Sequence, residues 1–169
     1  FGEIKSRRTL DLRLALGGQV TGLSDNFVDG GQVKSGEKLV EIDDADAQSF
    51  YLKAKADIMD AKAEVEDAER ALLLSNDELE AALKQSALRE TALYRQRDLQ
   101  VRGVGTKAAV EAAELALSSA EQSVLNRRSA VDQAKARGAS AGTRLIRSQL
   151  ALDDAARRLD DTKLFSKFD

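Results

Sequence analysis

The side chains that most often carry chemistry are nearly absent from this sequence. Its 169 residues contain no histidine and no cysteine, and methionine occurs once. Without these residues, nucleophilic dyads and the usual soft-metal sites are excluded. The many Asp and Glu residues follow solvated helical faces instead of converging in one pocket. We therefore predict a non-enzymatic protein that uses no cofactor and no metal.

Recognition chemistry remains, and it concentrates around a glycine-rich turn at residues 103–105. Arg95 can donate charge-assisted hydrogen bonds, and Leu99 can bury apolar area. Glycine tolerates the left-handed backbone at helix ends, so the turn predicts a sharp reversal, after which Thr106 caps the next helix. Arg95 also has a plainer interpretation as a solvated helix charge, and Leu99 as the last apolar layer of a seam. The candidate recognition residues are Arg95, Leu99, Gly103, Val104, Gly105 and Thr106.

A seven-residue repeat runs along both sides of this turn, with a small residue three positions after most of the large ones. Before the turn, the large and small positions are Tyr51, Ile58, Val65, Leu72 and Leu79, with Ala54, Ala61, Ala68, Ser75 and Ala82. After it, they are Val110, Leu117, Val124, Val131, Gly138, Leu145, Leu152 and Leu159, with Ala113, Ala120, Ala134, Ala141 and Ala155. This repeat predicts a close-packed antiparallel hairpin with arms at about 45–102 and 107–161, on the order of 80 Å long.

Composition agrees with a coiled coil and excludes other classes. Charged residues make up 33% of the chain, aromatic residues 4%, and proline is absent. The net charge is only -3 with both signs interspersed, so we expect no nucleic-acid partner. No apolar run approaches the ~20 residues of a membrane span. The opening Phe1-Gly2-Glu3 does not resemble a signal peptide, and we expect the sequence to be a piece of a longer protein.

Two glycines inside the second arm, Gly138 and Gly142, carry a cost of about 1 kcal/mol each relative to alanine. The hairpin register sets them near residues 65–74, which include the bulky run Leu72-Leu73-Leu74. We favour the interpretation that small residues make room for these leucines. The alternative is a flexible point in the arm.

The residues before the first arm predict β-structure. Leucines at 10, 12, 14 and 16 alternate with other residues, which is the period of a half-buried strand. Residues 18–43 then read as short apolar strands separated by glycine turns, and Asp43 or Asp44 can cap the first helix. The predicted fold class is mainly α, a long hairpin on a partial β base at residues 1–43, with a returning strand beginning within 162–169.

The segment 18–43 resembles the first half of the biotinyl-lipoyl-like domain of periplasmic adaptors, also called membrane fusion proteins, of Gram-negative tripartite efflux pumps. Its Gly-x-Val, its Val-Lys-x-Gly-x-x-Leu and its closing Ile42-Asp43 have the order found in this HlyD-like family, directly before a coiled-coil hairpin. Residues 159–169 resemble the return to the second lipoyl half. Arg95, Leu99 and Thr106 resemble the tip motif of these adaptors, with threonine in place of the family's serine.

This resemblance implies a function and partners. Family members link an inner-membrane transporter, commonly of the resistance-nodulation-division class and sometimes an ABC transporter, to a trimeric TolC-like outer-membrane channel. They reside in the periplasm in association with the inner membrane, and typically six copies form a ring. The candidate recognition residues would then dock on the channel. Two alternatives stay open, a type I secretion adaptor with a similar hairpin and a purely structural coiled-coil spacer.

Overall fold

A computed structural model describes residues 9–167 and confirms the predicted fold class. Its elements are β1 (Val20–Leu23), β2 (Lys38–Ile42), α1 (Ala45–Val101), α2 (Lys107–Asp160) and β3 (Lys163–Phe165). Predictions that concern residues 1–8 and 168–169 lie outside the described residues. No helix within 9–167 combines the length and apolar character that crossing a membrane requires. The chain divides into two compact units, which we call the sheet unit (Phe1–Met59 and Arg147–Asp169) and the hairpin unit (Asp60–Ile146).

In the hairpin unit, α1 and α2 pack through the predicted heptad positions. Three ion pairs join the helices. Residues with higher numbers on α1 pair with residues of lower numbers on α2, so the two helices are antiparallel. These are Glu64 with Arg144 at 3.1 Å, Glu78 with Arg127 at 2.8 Å and Arg97 with Glu114 at 2.7 Å. The apolar side chains buried in this unit are Ala61, Leu93, Val110, Ala120, Val124, Val131, Ala134 and Ala141.

The sheet unit contains the first turns of α1 and the last turns of α2. Ala54 and Ile58 of α1 and Ala155 of α2 are buried, as the heptad pattern predicts. Asp43 stands just before α1, and its Oδ1 accepts a hydrogen bond from the Ala45 amide at 3.1 Å. Because the first amides of a helix have no partner within the helix, this carboxylate helps to define where α1 begins.

A three-stranded antiparallel sheet in the order β1-β2-β3 forms the rest of the sheet unit. The central strand β2 carries the core of this sheet, since Leu39, Val40 and Ile42 are all buried. β1 and β3 pair only on one side within the described residues, so both are edge strands there. β3 lies within the predicted returning segment 162–169, whose assignment to a lipoyl-like half stays a prediction.

The alternating leucines at 10–16 do not form the strand that their period predicts. Leu12 and Leu14 are half-buried while Leu10 and Leu16 are exposed, and no strand is present between residues 9 and 19. A strand needs a neighbouring backbone to accept and donate ladder hydrogen bonds. The described residues offer no such neighbour to this segment, and the prediction of a strand here is wrong for that reason.

The packing interpretation of Gly138 and Gly142 is also wrong. A Cβ atom built on either glycine meets no other atom within 4 Å. No neighbouring side chain therefore requires a glycine at either position. Leu73 and Leu74 are 64% and 61% exposed and do not fill the space that was expected to receive them. The helix therefore carries the cost of two glycines without a packing gain in the hairpin unit.

Alanine at either position is expected to stabilise the protein. Gly138→Ala and Gly142→Ala should each raise the free energy of unfolding by about 1 kcal/mol, because alanine loses less backbone entropy in a helix. Urea unfolding followed by circular dichroism measures this change. Ala139→Gly, on the exposed face between them, is the matched control and should lower the free energy by about the same amount. Destabilisation by either alanine would contradict the interpretation.

Candidate functional site

The turn between the helices is closed by a specific set of backbone hydrogen bonds. The Gly103 amide donates to the Gln100 carbonyl at 3.0 Å, and the Val104 amide donates to the Leu99 carbonyl at 3.1 Å. Gly103 has φ of 76°, the left-handed region that favours glycine. These features define a Schellman motif, in which the left-handed residue follows the helix and satisfies its last carbonyls. The predicted reversal is thus built from the glycine that the sequence supplies at this position.

Thr106 begins the second helix in the way its hydroxyl predicts. Its Oγ1 accepts a hydrogen bond from the Ala109 amide at 3.2 Å, and its carbonyl accepts from the Val110 amide at 3.4 Å. The first bond is that of an N-cap residue, and the same Ala109 amide also donates to the Thr106 carbonyl at 3.1 Å. The capping interpretation of Thr106 is confirmed, and its methyl group and exposed position leave it available for a second contact.

Gly105 is a tightly constrained position in the turn. Its amide donates to the Leu99 carbonyl at 2.9 Å, so that carbonyl accepts two hydrogen bonds. A Cβ atom at Gly105 would lie 2.7 Å from the Gln100 nitrogen and 2.9 Å from the Leu99 carbonyl carbon. Both are backbone atoms that cannot rotate away, so the close approach of the chain to the end of α1 requires glycine at this residue.

The structure brings Leu99 together with the turn and places Arg95 nearby. Leu99 is half-buried against the seam, while Val104 is 75% exposed at the turn. Arg95 precedes Leu99 by four residues, so the two lie on the same side of α1 about 6 Å apart along its axis. The arrangement offers a cation beside an apolar projection, which can donate charge-assisted hydrogen bonds and bury apolar area at once.

Arg95 differs from Arg102 and Lys107, the cations at the turn, because no partner for it is present within residues 9–167. Arg102 pairs with Asp98 at 2.9 Å and Lys107 with Glu111 at 3.4 Å, each with a residue four positions away in the chain. Within the described residues, the guanidinium of Arg95 makes no ion pair or hydrogen bond, and its side chain is exposed. Its five donors are therefore available to a partner molecule.

Sequence reasoning missed two side chains beside this site. Tyr94 is 77% exposed and Val101 is 87% exposed, so neither packs in the seam between the helices. Their signal in the sequence is spacing, since they stand seven residues apart on α1. A search confined to seam positions passes over them.

The sheet unit contains a second organised cluster, centred on the carboxylate of Glu37. It accepts hydrogen bonds from the Lys34 amide at 3.0 Å, the Asn26 side-chain amide at 2.8 Å and the Ser24 hydroxyl at 2.9 Å. These bonds, that of the Lys34 amide foremost, stabilise the charged form and lower the pKa of Glu37. The cluster ties the loop after β1 to the turn before β2, and is a structural feature of the sheet unit.

Acid is expected to loosen this loop. Because the pKa of Glu37 is lowered in the folded state, its stabilising effect is present above the carboxyl's ordinary pKa of about 4.3 and is lost as pH falls through the folded value. Hydrogen exchange of the Lys34 amide, followed by NMR from about pH 6 to about pH 3, should show protection that declines only at the acid end. Glu37→Gln is the control and should lack this decline. Equal protection at both ends in the unmodified protein would contradict the expectation.

Comparison with known proteins identifies the family of this chain. No protein-family model matches it. The chain is 35% identical over 159 residues to the efflux pump periplasmic linker BepD of Brucella suis biovar 1 (strain 1330), an alignment that covers 89% of this chain. It spans 38% of the length of that relative. Among solved structures, the periplasmic adaptor protein EmrA aligns with 90% of this chain and 61% of its own, at 16% identity and a TM-score of 0.35.

The identity to the periplasmic linker extends over most of this chain. It agrees with the prediction of a non-enzymatic protein, because that relative is a linker. On these grounds, the chain belongs to the family of periplasmic adaptors, or membrane fusion proteins.

Proposed function

We propose that this chain is the hairpin-bearing part of a periplasmic adaptor in a tripartite efflux pump. In this role it links an inner-membrane transporter to an outer-membrane channel, and its turn docks on the channel. The observation that carries the proposal is the free surface at and near the turn, where Val104 is 75% exposed and the Arg95 guanidinium makes no ion pair or hydrogen bond within residues 9–167. The relative's name, an efflux pump periplasmic linker, supports both the pump and the periplasmic location.

The remaining parts of the proposal concern the whole protein. Residues 1–43 and 162–169 belong to two halves of a lipoyl-like domain, and residues 44–161 form the hairpin between them. The full protein associates with the inner membrane, and six copies surround the pump axis. The transporter is of the resistance-nodulation-division class, with an ABC transporter as the alternative, and the channel is a TolC-like trimer that contacts Arg95, Leu99, Gly103, Val104, Gly105 and Thr106.

Removing the free cation at the turn tests the docking. Arg95→Ala in the full-length protein, expressed at its native level in its own host, should lower the amount of channel that co-purifies by about tenfold, because charged hydrogen bonds contribute about 1.5–3 kcal/mol. Export of a fluorescent pump substrate should fall with it. The helix itself should be unaffected, since an exposed arginine and alanine have similar helix propensities.

Arg128→Ala is the matched control, because Arg128 is also an exposed helical arginine of the hairpin unit without an ion pair among the described residues. It should leave both measurements unchanged. Retention of channel and export by Arg95→Ala would refute docking through this residue. Failure of the unmodified protein to co-purify with any transporter or channel would refute the adaptor function as a whole and favour a structural spacer.

A further inference from the structure

The middle of the hairpin unit separates charge between its two helices. Between residues 64 and 75, α1 contains four acidic residues and one basic residue. Between residues 133 and 144, α2 contains three basic residues and no acidic residue. The ion pair of Glu64 with Arg144 at 3.1 Å places these two stretches beside each other. One helix of the hairpin unit is therefore acidic and the other basic at the same level.

The outward side of α1 in this stretch combines the acidic charge with two exposed leucines. Leu73 and Leu74 are 64% and 61% exposed, so neither packs in the seam between the helices. Glu66 and Asp67 lie two turns earlier on the same outward side, and both pair with a single cation, Arg70. One arginine cannot neutralise two carboxylates, so negative charge remains beside the leucines. We call this surface the acidic edge, and its residues are Glu66, Asp67, Glu69, Leu73 and Leu74.

The outward side of α2 at this level is flat and basic. Ala136, Ala139 and Ser140 are exposed, and their side chains are among the smallest that a helix can carry. Lys135 and Arg137 stand on either side of Ala136, and both are exposed. Within residues 9–167, neither of these two cations forms an ion pair or a hydrogen bond. We call the surface formed by these five residues the basic edge.

We propose that the acidic edge of one chain binds the basic edge of a second copy, so that α1 of each hairpin packs on α2 of the next. This inference rests on the proposed function, in which several copies point the same way around one axis, and it names the surfaces by which neighbours recognise each other. Leu73 and Leu74 of one copy pack on Ala136 of the next. The carboxylates beside the leucines face Lys135 and Arg137.

The two edges match in height, which favours a second copy as the occupant. Copies related by rotation about one axis hold equivalent residues at equal heights, and each presents one edge to its left and the other to its right. By the register of Glu64 with Arg144, Glu69 lies about 6 Å along the axis from the level of Lys135. A lysine side chain spans that distance, and opposite charges then face each other across the contact.

The same features disfavour contact between two like edges. A two-fold axis at this level would bring acidic edge to acidic edge or basic edge to basic edge, and like charges repel. Shape acts in the same direction. Two basic edges offer only small side chains and bury little apolar area, whereas leucines laid on alanines bury more and allow the helix backbones to come close.

Disulfide crosslinking between two differently tagged copies tests this pairing. The 169 residues contain no cysteine, so an introduced thiol reports a single position. Full-length Leu74→Cys and full-length Ala136→Cys, both free of other cysteines, are co-expressed in the native host and treated with a mild oxidant. We expect a mixed dimer that carries both tags on a non-reducing gel. Leu115→Cys in place of Ala136→Cys is the matched control, because Leu115 is 73% exposed on the same side of α2, about 32 Å nearer the turn. It should give no mixed dimer.

The outcomes separate this inference from the proposed function. Dimers of Leu74→Cys with itself or of Ala136→Cys with itself, in place of the mixed dimer, would overturn the pairing of unlike edges. Equal yields with positions 136 and 115 would also overturn it, since contact would then be random. Co-purification of the adaptor with a transporter and a channel, without any mixed dimer, would refute the inference and leave the proposed function intact. Loss of both would count against the adaptor function itself.

Charge reversal gives an independent measurement. Glu69→Lys in the Leu74→Cys copy should lower the yield of mixed dimer about fivefold, because attraction to Lys135 becomes repulsion. Lys135→Glu in the Ala136→Cys copy should lower the yield when introduced alone and restore most of it when combined with Glu69→Lys. Glu90→Lys is the matched control, since Glu90 is exposed three heptads farther along the same side of α1, and the yield should not change. An unchanged yield with Glu69→Lys would overturn the charge pairing.

Discussion

Val131→Asp is expected to separate the two helices of the hairpin unit and to give the largest loss of stability of any single change proposed for this chain. Val131 is 5% exposed in the middle of the seam. Its replacement removes about 1.5–3 kcal/mol of apolar burial and leaves a carboxylate without a partner in the interface. We expect the free energy of unfolding to fall by about 3–5 kcal/mol in total, because an unpaired charge left in a buried site has a cost of that size.

Urea unfolding followed by circular dichroism measures this loss, and thermal unfolding should show a lowered midpoint. Ser129→Asp is the matched control, because Ser129 is exposed two residues away on the same helix. It should change the free energy of unfolding by less than about 0.5 kcal/mol. Equal effects of the two aspartates would mean that the heptad seam does not hold the helices together.

Gly105→Ala is expected to distort the turn and with it the candidate docking surface. The added Cβ would lie 2.7 Å from the Gln100 nitrogen, so the backbone must shift and the two hydrogen bonds to the Leu99 carbonyl must lengthen. Forcing an extra methyl group into such a space costs about 1–3 kcal/mol. Because Val104 is held by the same carbonyl, its position relative to Arg95 should change, and channel binding should fall with stability.

Gly103→Asn is the control for this change. Gly103 has φ of 76°, but a Cβ there meets no atom within 4 Å, and asparagine tolerates the left-handed region better than other residues. It should cost less than about 1 kcal/mol and preserve channel binding. Hydrogen exchange of the Val104 and Gly105 amides reports the turn directly. A turn that exchanges no faster in Gly105→Ala than in Gly103→Asn would contradict the steric argument.

The helical part of this protein could be predicted closely, because the interactions that form it join residues near in sequence and repeat at a fixed spacing. The heptad spacing places Val124 and Val131 on one side of α2 whatever surrounds it, and it does the same for Ala54 and Ile58 in α1; all four residues are buried. Helix ends are equally local, since Thr106 reaches an amide three residues away and Gly103 adopts a backbone that few other residues tolerate. The family resemblance at residues 18–43 agrees with the relationship to a periplasmic linker.

Other features depend on neighbours that are distant in sequence, and the pattern of residues alone did not reveal them. The alternation at Leu12 and Leu14 has the period of a strand, but a ladder needs a second backbone in reach, and the described residues provide none there. Glu37 gathers donors from a loop 11 to 13 residues earlier, which only the folded sheet unit brings close.

Two paired helices with a capped reversal follow from the order of residues alone, because apolar period, glycine geometry and hydroxyl capping act within a few residues. Which side chains remain free depends instead on how the helices pack in the folded chain. The exposure of a side chain depends on every neighbour in the fold. The exposed Tyr94 and Val101, the open space around Gly138 and the lack of a partner for Arg95 within residues 9–167 are therefore evident only in the folded structure.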